Sequence, residues 1–333
     1  MQSFIQSLPK AELHLHIEGS LEPELLLSLS RKHQIDLPYK NIEQIHQAYN
    51  FEDLQSFLDL YYLGASVLID EDDFYQLMWQ YLCKCKEQNI VHTEIMFDPQ
   101  THTHRGIGFD VFMPGFLRAI KQAESEWGQS VYLILSFLRH LSQEDALLTL
   151  DAAKNYLADV KAVGLDSSEQ GNPPRKFAQV FSKSAELGLL KVAHAGEEGP
   201  ADYVWEAIQL LHVDRIDHGV RSDEDPKLID YLKLHQIALT VCPLSNTKLC
   251  VFDDMTQHNI LKMLDQGLLV TVNSDDPSYF GGYLNENYLA LHTAFELDKS
   301  TITQLVKNSF IGSFLPAEQK KHWLNQVDAA LAK

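Results

Sequence analysis

This sequence predicts an α/β fold: a TIM-type (β/α)8 barrel with a helical insertion between its first and second strands. Three observations predict it. Short apolar, β-branched runs recur eight times, longer stretches of helical spacing separate them, and unusual polar groups stand just after several of the runs. The runs are 12–17, 91–97, 131–138, 161–166, 190–194, 215–218, 237–242 and 268–273. A barrel of this kind takes about 250 residues, so the surplus in a chain of 333 is an insertion. It falls between the first two runs, where Phe51, Leu54, Phe57, Leu58, Tyr61 and Tyr62 recur at helical spacing. Such helices either form a lid over the barrel mouth or pack as ordinary core. No repeat, low-complexity tract or Pro/Gly-rich linker divides the chain, so residues 1–333 are expected to form a single domain.

The composition narrows the function. A hydrophobic content of 45% is ample for one large core. With 27 basic and 46 acidic residues the formal charge is -19, a field that repels phosphate backbones and anionic membranes. Neither nucleic acid nor a membrane is therefore expected as a partner. The start, Met1-Gln2-Ser3-Phe4-Ile5-Gln6, has no signal-peptide character, and no apolar run approaches the roughly 20 residues that span a bilayer, so a cytoplasmic location is expected. Cys83, Cys85, Cys242 and Cys250 read as reduced thiols. Cys83 and Cys85 lie in a helical stretch, where neighbours two apart diverge, and are expected as helix cysteines and not as a metal site.

The first run carries His14-Leu15-His16. On a strand, side chains two apart share a face about 6 to 7 Å from each other, close enough to grip one metal ion. In a barrel, chemistry gathers where strands end at the C-terminal face. There the fifth run closes in His194-Ala195-Gly196-Glu197-Glu198, the sixth in Asp217-His218-Gly219 and the eighth in Asn273-Ser274-Asp275-Asp276-Pro277. His14, His16, His194 and Asp275 can supply a divalent ion with nitrogen and oxygen ligands, zinc being the default, while one position stays open for water. Two ions would want a bridging group at the end of the fourth run, and Lys161 lies about 16 Å back from that end, so one ion is expected. Glu197 suits a proton shuttle, His218 can hold or deprotonate the water, and Asp276 points away from its ligand neighbour, free to bind substrate. His102 and His104 form a second H-x-H, expected in a polar loop after Pro99 and outside the metal site. His92-Thr93-Glu94 has no P-C-x-x-C to follow it, which excludes the zinc design of the cytidine deaminases.

The segments Leu13-His14-Leu15-His16-Ile17-Glu18-Gly19, His194-Ala195-Gly196-Glu197, Asp217-His218-Gly219 and Ser274-Asp275-Asp276-Pro277 together resemble the adenosine/adenine deaminase family of the amidohydrolase superfamily, in order and over nearly the whole chain. The resemblance implies a zinc-bearing barrel that replaces a purine 6-amino group by oxygen and releases ammonia. It implies His14, His16, His194 and Asp275 as ligands, Glu197 as the group that protonates N1, His218 as the group that positions the hydroxide, and Asp276 as a contact to N7. Glu18-Gly19, where nucleoside enzymes usually have Asp-Gly, resembles the adenine branch, as do the stretches 242–252 and 279–283. The expected reaction is adenine to hypoxanthine in purine salvage, with adenosine or an N6-substituted adenine as rival substrates and an inactive purine-binding protein as the non-enzymatic alternative. Free adenine has an N9–H that adenosine lacks, and leaving such a donor buried without a partner costs about 1 to 3 kcal/mol. Glu169 or Glu18 is the expected acceptor. The expected partner is thus a small purine base; a homo-oligomer is compatible with the sequence.

Overall fold

The computed structural model describes residues 1–332. Eight strands, β1 (Lys10–His16), β2 (Ile90–Phe97), β3 (Ser130–Leu138), β4 (Val160–Asp166), β5 (Leu190–Ala195), β6 (Arg215–His218), β7 (Ala238–Val241) and β8 (Val270–Val272), pair in parallel with their sequence neighbours. The barrel closes at the site itself. Main-chain N–H of His16 donates to Asp275 O at 3.0 Å, and that of Asp275 donates to His14 O at 3.1 Å. β7 and β8 are shorter than the apolar runs that announce them, because pairing and not hydrophobicity sets a strand's ends. Asn273, for example, spends its side chain on the N–H of Leu13 (2.8 Å) and the hydroxyl of Thr271 (2.9 Å).

The insertion is present where expected, as four helices, Pro23–His33, Ile42–Ala48, Leu54–Ala65 and Glu71–Glu87. Asp53 and Asp70 begin the last two with reciprocal caps that satisfy otherwise orphaned N–H groups. The helix Leu54–Ala65 buries Leu54, Phe57, Leu58 and Tyr61 toward the barrel mouth, so it has the lid position. Among the described residues no helix is long and apolar enough to cross a membrane.

The opposite end of the barrel is plugged by an ion pair. Arg215 on β6 donates to Glu94 on β2 at 2.5 Å and to Leu13 O at 3.0 Å, with both charged side chains fully buried. His92 Nε2 completes this floor 3.1 Å from Glu94. The His92-Thr93-Glu94 motif is therefore part of the barrel bottom, remote from the mouth where His14 and His16 stand. Cys85 is buried and Cys83 half-buried along the helix Glu71–Glu87, as expected for packing cysteines.

Candidate metal centre and active site

His14 and His16 project from the end of β1 with ring centroids 5.5 Å apart. The register against β2 slips between Glu12 and Leu15, and such a bulge re-aims side chains at a barrel rim. His194 comes from β5, His218 from the last residue of β6, and Asp275 from the turn after β8. Both His218 (φ 61°) and Asp275 (φ 65°) occupy left-handed backbone that L-residues adopt reluctantly. Non-glycine residues in that region cluster at functional sites, where the surrounding fold holds them.

Four donor atoms converge. His14 Nε2 lies 3.1 Å from His194 Nε2 and 3.2 Å from Asp275 Oδ1, while His16 Nε2 lies 3.2 Å and 3.5 Å from the same two atoms. Two ligand atoms at about 2.0 to 2.1 Å from a tetrahedral ion stand about 3.3 Å apart, so His194 and Asp275 stand at ligand spacing from both His14 and His16, and His218 also brings a nitrogen within 4.8 Å of the His14, His194 and Asp275 donors. Protonation agrees. Burial, reinforced by the neighbouring His14 and His218, holds His194 well below its ordinary value, and the surrounding imidazoles overcome burial to hold Asp275 well below the carboxylate range. A neutral imidazole and an ionised carboxylate are the forms that bind a metal. His16 differs: against burial, the carboxylates of Asp276, Asp98 and Asp166 raise it well above its ordinary value. A cation at its Nε2 would take the place of that proton.

The outer nitrogens are also directed. His14 Nδ1 faces Thr240 Oγ1 at 3.0 Å, His16 Nδ1 faces Asp166 at 3.5 Å and Asp98 at 3.9 Å, and His194 Nδ1 faces Asp217 Oδ2 at 3.7 Å. Thr240 in turn donates to Asp217 Oδ1 at 2.8 Å. Partners of this kind fix which nitrogen turns inward. Asp98, Asp166, Asp217 and Thr240 carry no role in the sequence reading. Asp98 and Asp166 stand at strand ends, so the rule that singles out the other site residues also reaches them. Only pairing across the barrel reveals Thr240.

Glu197 reaches within 3.5 Å of His218 Nε2, and its Oε1 is buried without a partner among the described residues. Burial, with Asp275 and Glu169 adding to it, pushes the Glu197 carboxyl well above its ordinary value, which favours its acid form. Asp276 is raised by burial and by the adjacent Asp275, and its Oδ1 is likewise unpartnered. Gly19 makes room for it, since a Cβ there would stand 1.9 Å from Asp276 Oδ1.

The expectation for Glu169 is corrected. Its carboxylate accepts the main-chain N–H groups of Gly196 (2.7 Å), Glu197 (3.0 Å), Glu198 (3.0 Å) and Gly199 (2.8 Å). These bonds commit it to the loop that bears Glu197 and leave it no role as a base acceptor. Glu18 is committed too: Oε1 faces His102 Nε2 at 2.7 Å and accepts from Asp98 N at 3.3 Å, and Oε2 accepts from Tyr61 at 3.4 Å. His102 is therefore not in a polar loop. It lies fully buried in the short helix Pro99–Thr103, whose start the pair Asp98-Pro99 announces.

The helix Leu54–Ala65 closes the site. Leu54, Phe57, Leu58, Tyr61 and Tyr62 line a cavity of about 40 Å3 together with His16, Glu197 and Asp276. Tyr61 donates to Asp98 Oδ2 at 2.8 Å, and the Tyr62 hydroxyl is 3.0 Å from Ser167 Oγ, so two hydroxyls fasten the helix to the rims of β2 and β4. Beyond Leu249 and Glu197 a wider cleft of about 770 Å3 opens.

Comparison with known proteins accords with this geometry. The family model described as adenosine deaminase matches residues 9–330. A protein of Acinetobacter baylyi named adenine deaminase is 57% identical over 97% of this chain and 98% of its own. One of Hahella chejuensis with the same name is 56% identical over 99% of each chain. The crystal structure of adenine deaminase from Arthrobacter aurescens superposes with a TM-score of 0.96 at 44% identity, over 98% of this chain and 100% of that one. With the family's model spanning nearly its whole length and relatives this close, the chain belongs to the adenosine deaminase family.

Proposed function

We propose that this protein removes the 6-amino group of adenine by hydrolysis, giving hypoxanthine and ammonia. The carrying observation is the buried Glu197 carboxyl set 3.5 Å from His218, beside four convergent donor atoms. The names of the relatives sharing more than half of its residues support adenine as the substrate. His14, His16, His194 and Asp275 would hold one divalent cation; three imidazoles and a carboxylate suit zinc, and also iron(II). When bound, such a cation supplies Lewis acidity and lowers the pKa of a water molecule toward about 7.

The side chains perform the rest. Glu197 gives its proton to N1, which withdraws electron density from C6 and opens it to attack. His218 directs the attacking oxygen. Glu197 then takes one proton from that oxygen and passes it to the departing amine, which leaves as ammonia, and takes the oxygen's second proton to regain its acid form. Asp276, in its acid form, donates to the lone pair of N7. The aromatic lid excludes bulk water, which strengthens each of these interactions. We further read residues 1–333 as one domain acting in the cytoplasm on a small purine base, in keeping with free cysteines and a charge of -19.

An ultraviolet assay across adenine, adenosine and N6-methyladenine, with metal content measured on the same preparation, tests this reading. Ammonia release from adenine at a kcat/KM far above the other two is expected. Preference for adenosine or N6-methyladenine would replace the substrate, and adenine binding without ammonia release would replace the enzyme by a binding protein.

A further inference from the structure

A chain of hydrogen bonds runs from the main chain to His218, and its direction is fixed at its far end. Ile260 N–H donates to His258 Nδ1 at 3.1 Å. A main-chain N–H can only donate, so Nδ1 is bare and the ring carries its proton on Nε2. That Nε2 faces Asn246 Oδ1 at 3.2 Å, and Asn246 Nδ2 faces His218 Nδ1 at 3.3 Å. His218 Nδ1 is thus an acceptor, and its proton sits on Nε2, which points toward Glu197 Oε2 (3.5 Å) and Asp275 Oδ2 (3.7 Å).

Reversing the Asn246 amide does not rescue the other tautomer. Nδ2 would then face His258 Nε2 and require a lone pair there, which moves the His258 proton to Nδ1, against Ile260 N–H. His258 is 4% exposed, and Asn246 is fully buried, so water does not substitute for these bonds. Burial also pushes His258 down to about 3, which keeps its ring neutral. The ring of Phe252 packs over it at 4.4 Å.

We propose that Asn246 and His258 are positioning residues that lock His218 in its Nε2–H tautomer, so that His218 serves the reaction as a hydrogen-bond donor and not as its proton acceptor. Donation from Nε2 aims a lone pair of the attacking oxygen, and the two protons lost by that oxygen fall in turn to Glu197, the first for the departing amine and the second to restore its acid form. The kinetic part of this inference rests on the deaminase reading; the tautomer does not.

The test is a long-range 1H–15N correlation spectrum of zinc-loaded protein labelled with 15N-histidine, at about pH 7, with His218 assigned by its loss in His218→Gln. The expected pattern has a protonated Nε2 and a bare Nδ1. A bare Nε2, or both nitrogens protonated, in the wild-type protein overturns the proposal without any variant. Asn246→Asp offers only acceptors and should draw the proton to Nδ1, lowering kcat for adenine about 10- to 100-fold at little-changed KM and unchanged zinc content. His258→Leu should do the same, while His258→Gln, whose amide can accept from Ile260 and donate to Asn246, should restore both tautomer and kcat. Unchanged tautomer and kcat in Asn246→Asp would overturn the proposal. The expected tautomer in a protein that releases no ammonia from adenine would support it while ending the adenine reading.

Discussion

Glu169 and Gly199 are fitted to each other: the Glu169 carboxylate accepts the Gly199 N–H at 2.8 Å, and a Cβ on Gly199 would stand 2.6 Å from that same carboxyl. The contact belongs to a ring of four N–H donors that shapes the turn after His194 and thereby sets where Glu197 points. Glu169→Gln exchanges one acceptor oxygen for an NH2 that meets N–H groups head-on. The expected loss is about 1 to 3 kcal/mol of stability, read as a lower Tm, with a fall in kcat. Because the Glu169 charge helps hold Glu197 in its acid form, its removal should also move the alkaline limb of kcat/KM to lower pH. A limb that stays in place, or moves upward, would refute the coupling. Gly199→Ala should lose about 1 to 3 kcal/mol through overpacking.

What sequence reveals of this site, and what it does not, follows from where the information resides. His14, His16, His194, His218, Asp275 and Asp276 were legible because strand ends are local features and the barrel brings all strand ends to one rim. Glu169 was misread because its partners lie 27 to 30 residues away, and only the folded turn turns their N–H groups toward it. Thr240 and Asn246 escaped for the same reason: each looks like an ordinary polar residue until the strand or helix beside it is placed. The inserted helices are legible from their apolar spacing, which leaves lid and core packing open; the lid position and its fastenings through Tyr61 and Tyr62 are not.

Asp217 stands between two of the proposed ligands, 4.0 Å from His14 Nδ1 and 3.7 Å from His194 Nδ1. Asp217→Asn keeps the shape and removes the charge that orients both rings. Metal affinity should fall about 10- to 100-fold, measured by competition with a chromophoric chelator. Full removal of the cation by a chelator should abolish ammonia release and lower Tm, by as much as about 4 kcal/mol of lost binding linkage where free metal stood about 1,000-fold above Kd. Zinc should restore both.

The barrel floor makes a prediction about acid. Burial by itself would raise Glu94, but Arg215 and His92 overcome it and bring the carboxyl from 4.5 down to about 2. A carboxylate depressed by folding contributes stability that is complete above its unfolded value near 4.5 and is lost as pH falls toward 2. Arg215→Met strands Glu94 in the core and should destabilise by about 3 to 5 kcal/mol at neutral pH. The deficit relative to wild type should shrink as pH falls through that window, in denaturant melts at successive pH values. A deficit independent of pH would mean that lost packing, and not the ion pair, dominates.

The lid yields the last expectation. The helix Leu54–Ala65 covers a cavity of about 40 Å3, and movement of that helix would widen it for a purine. Tyr61 and Tyr62 hold it shut through Asp98 and Ser167. The Tyr62 bond is the one to test, because Tyr61 also reaches Glu18 and its loss disturbs more than the latch. Tyr62→Phe removes one neutral hydrogen bond and keeps the ring, shifting closure by about 0.5 to 1.5 kcal/mol toward the open form. If opening limits turnover, kcat rises while KM for adenine rises with it; if closure assembles the site, kcat falls instead. Either way the change should appear as faster hydrogen exchange confined to residues 54–65, and exchange there that matches wild type would show that the bond fastens nothing.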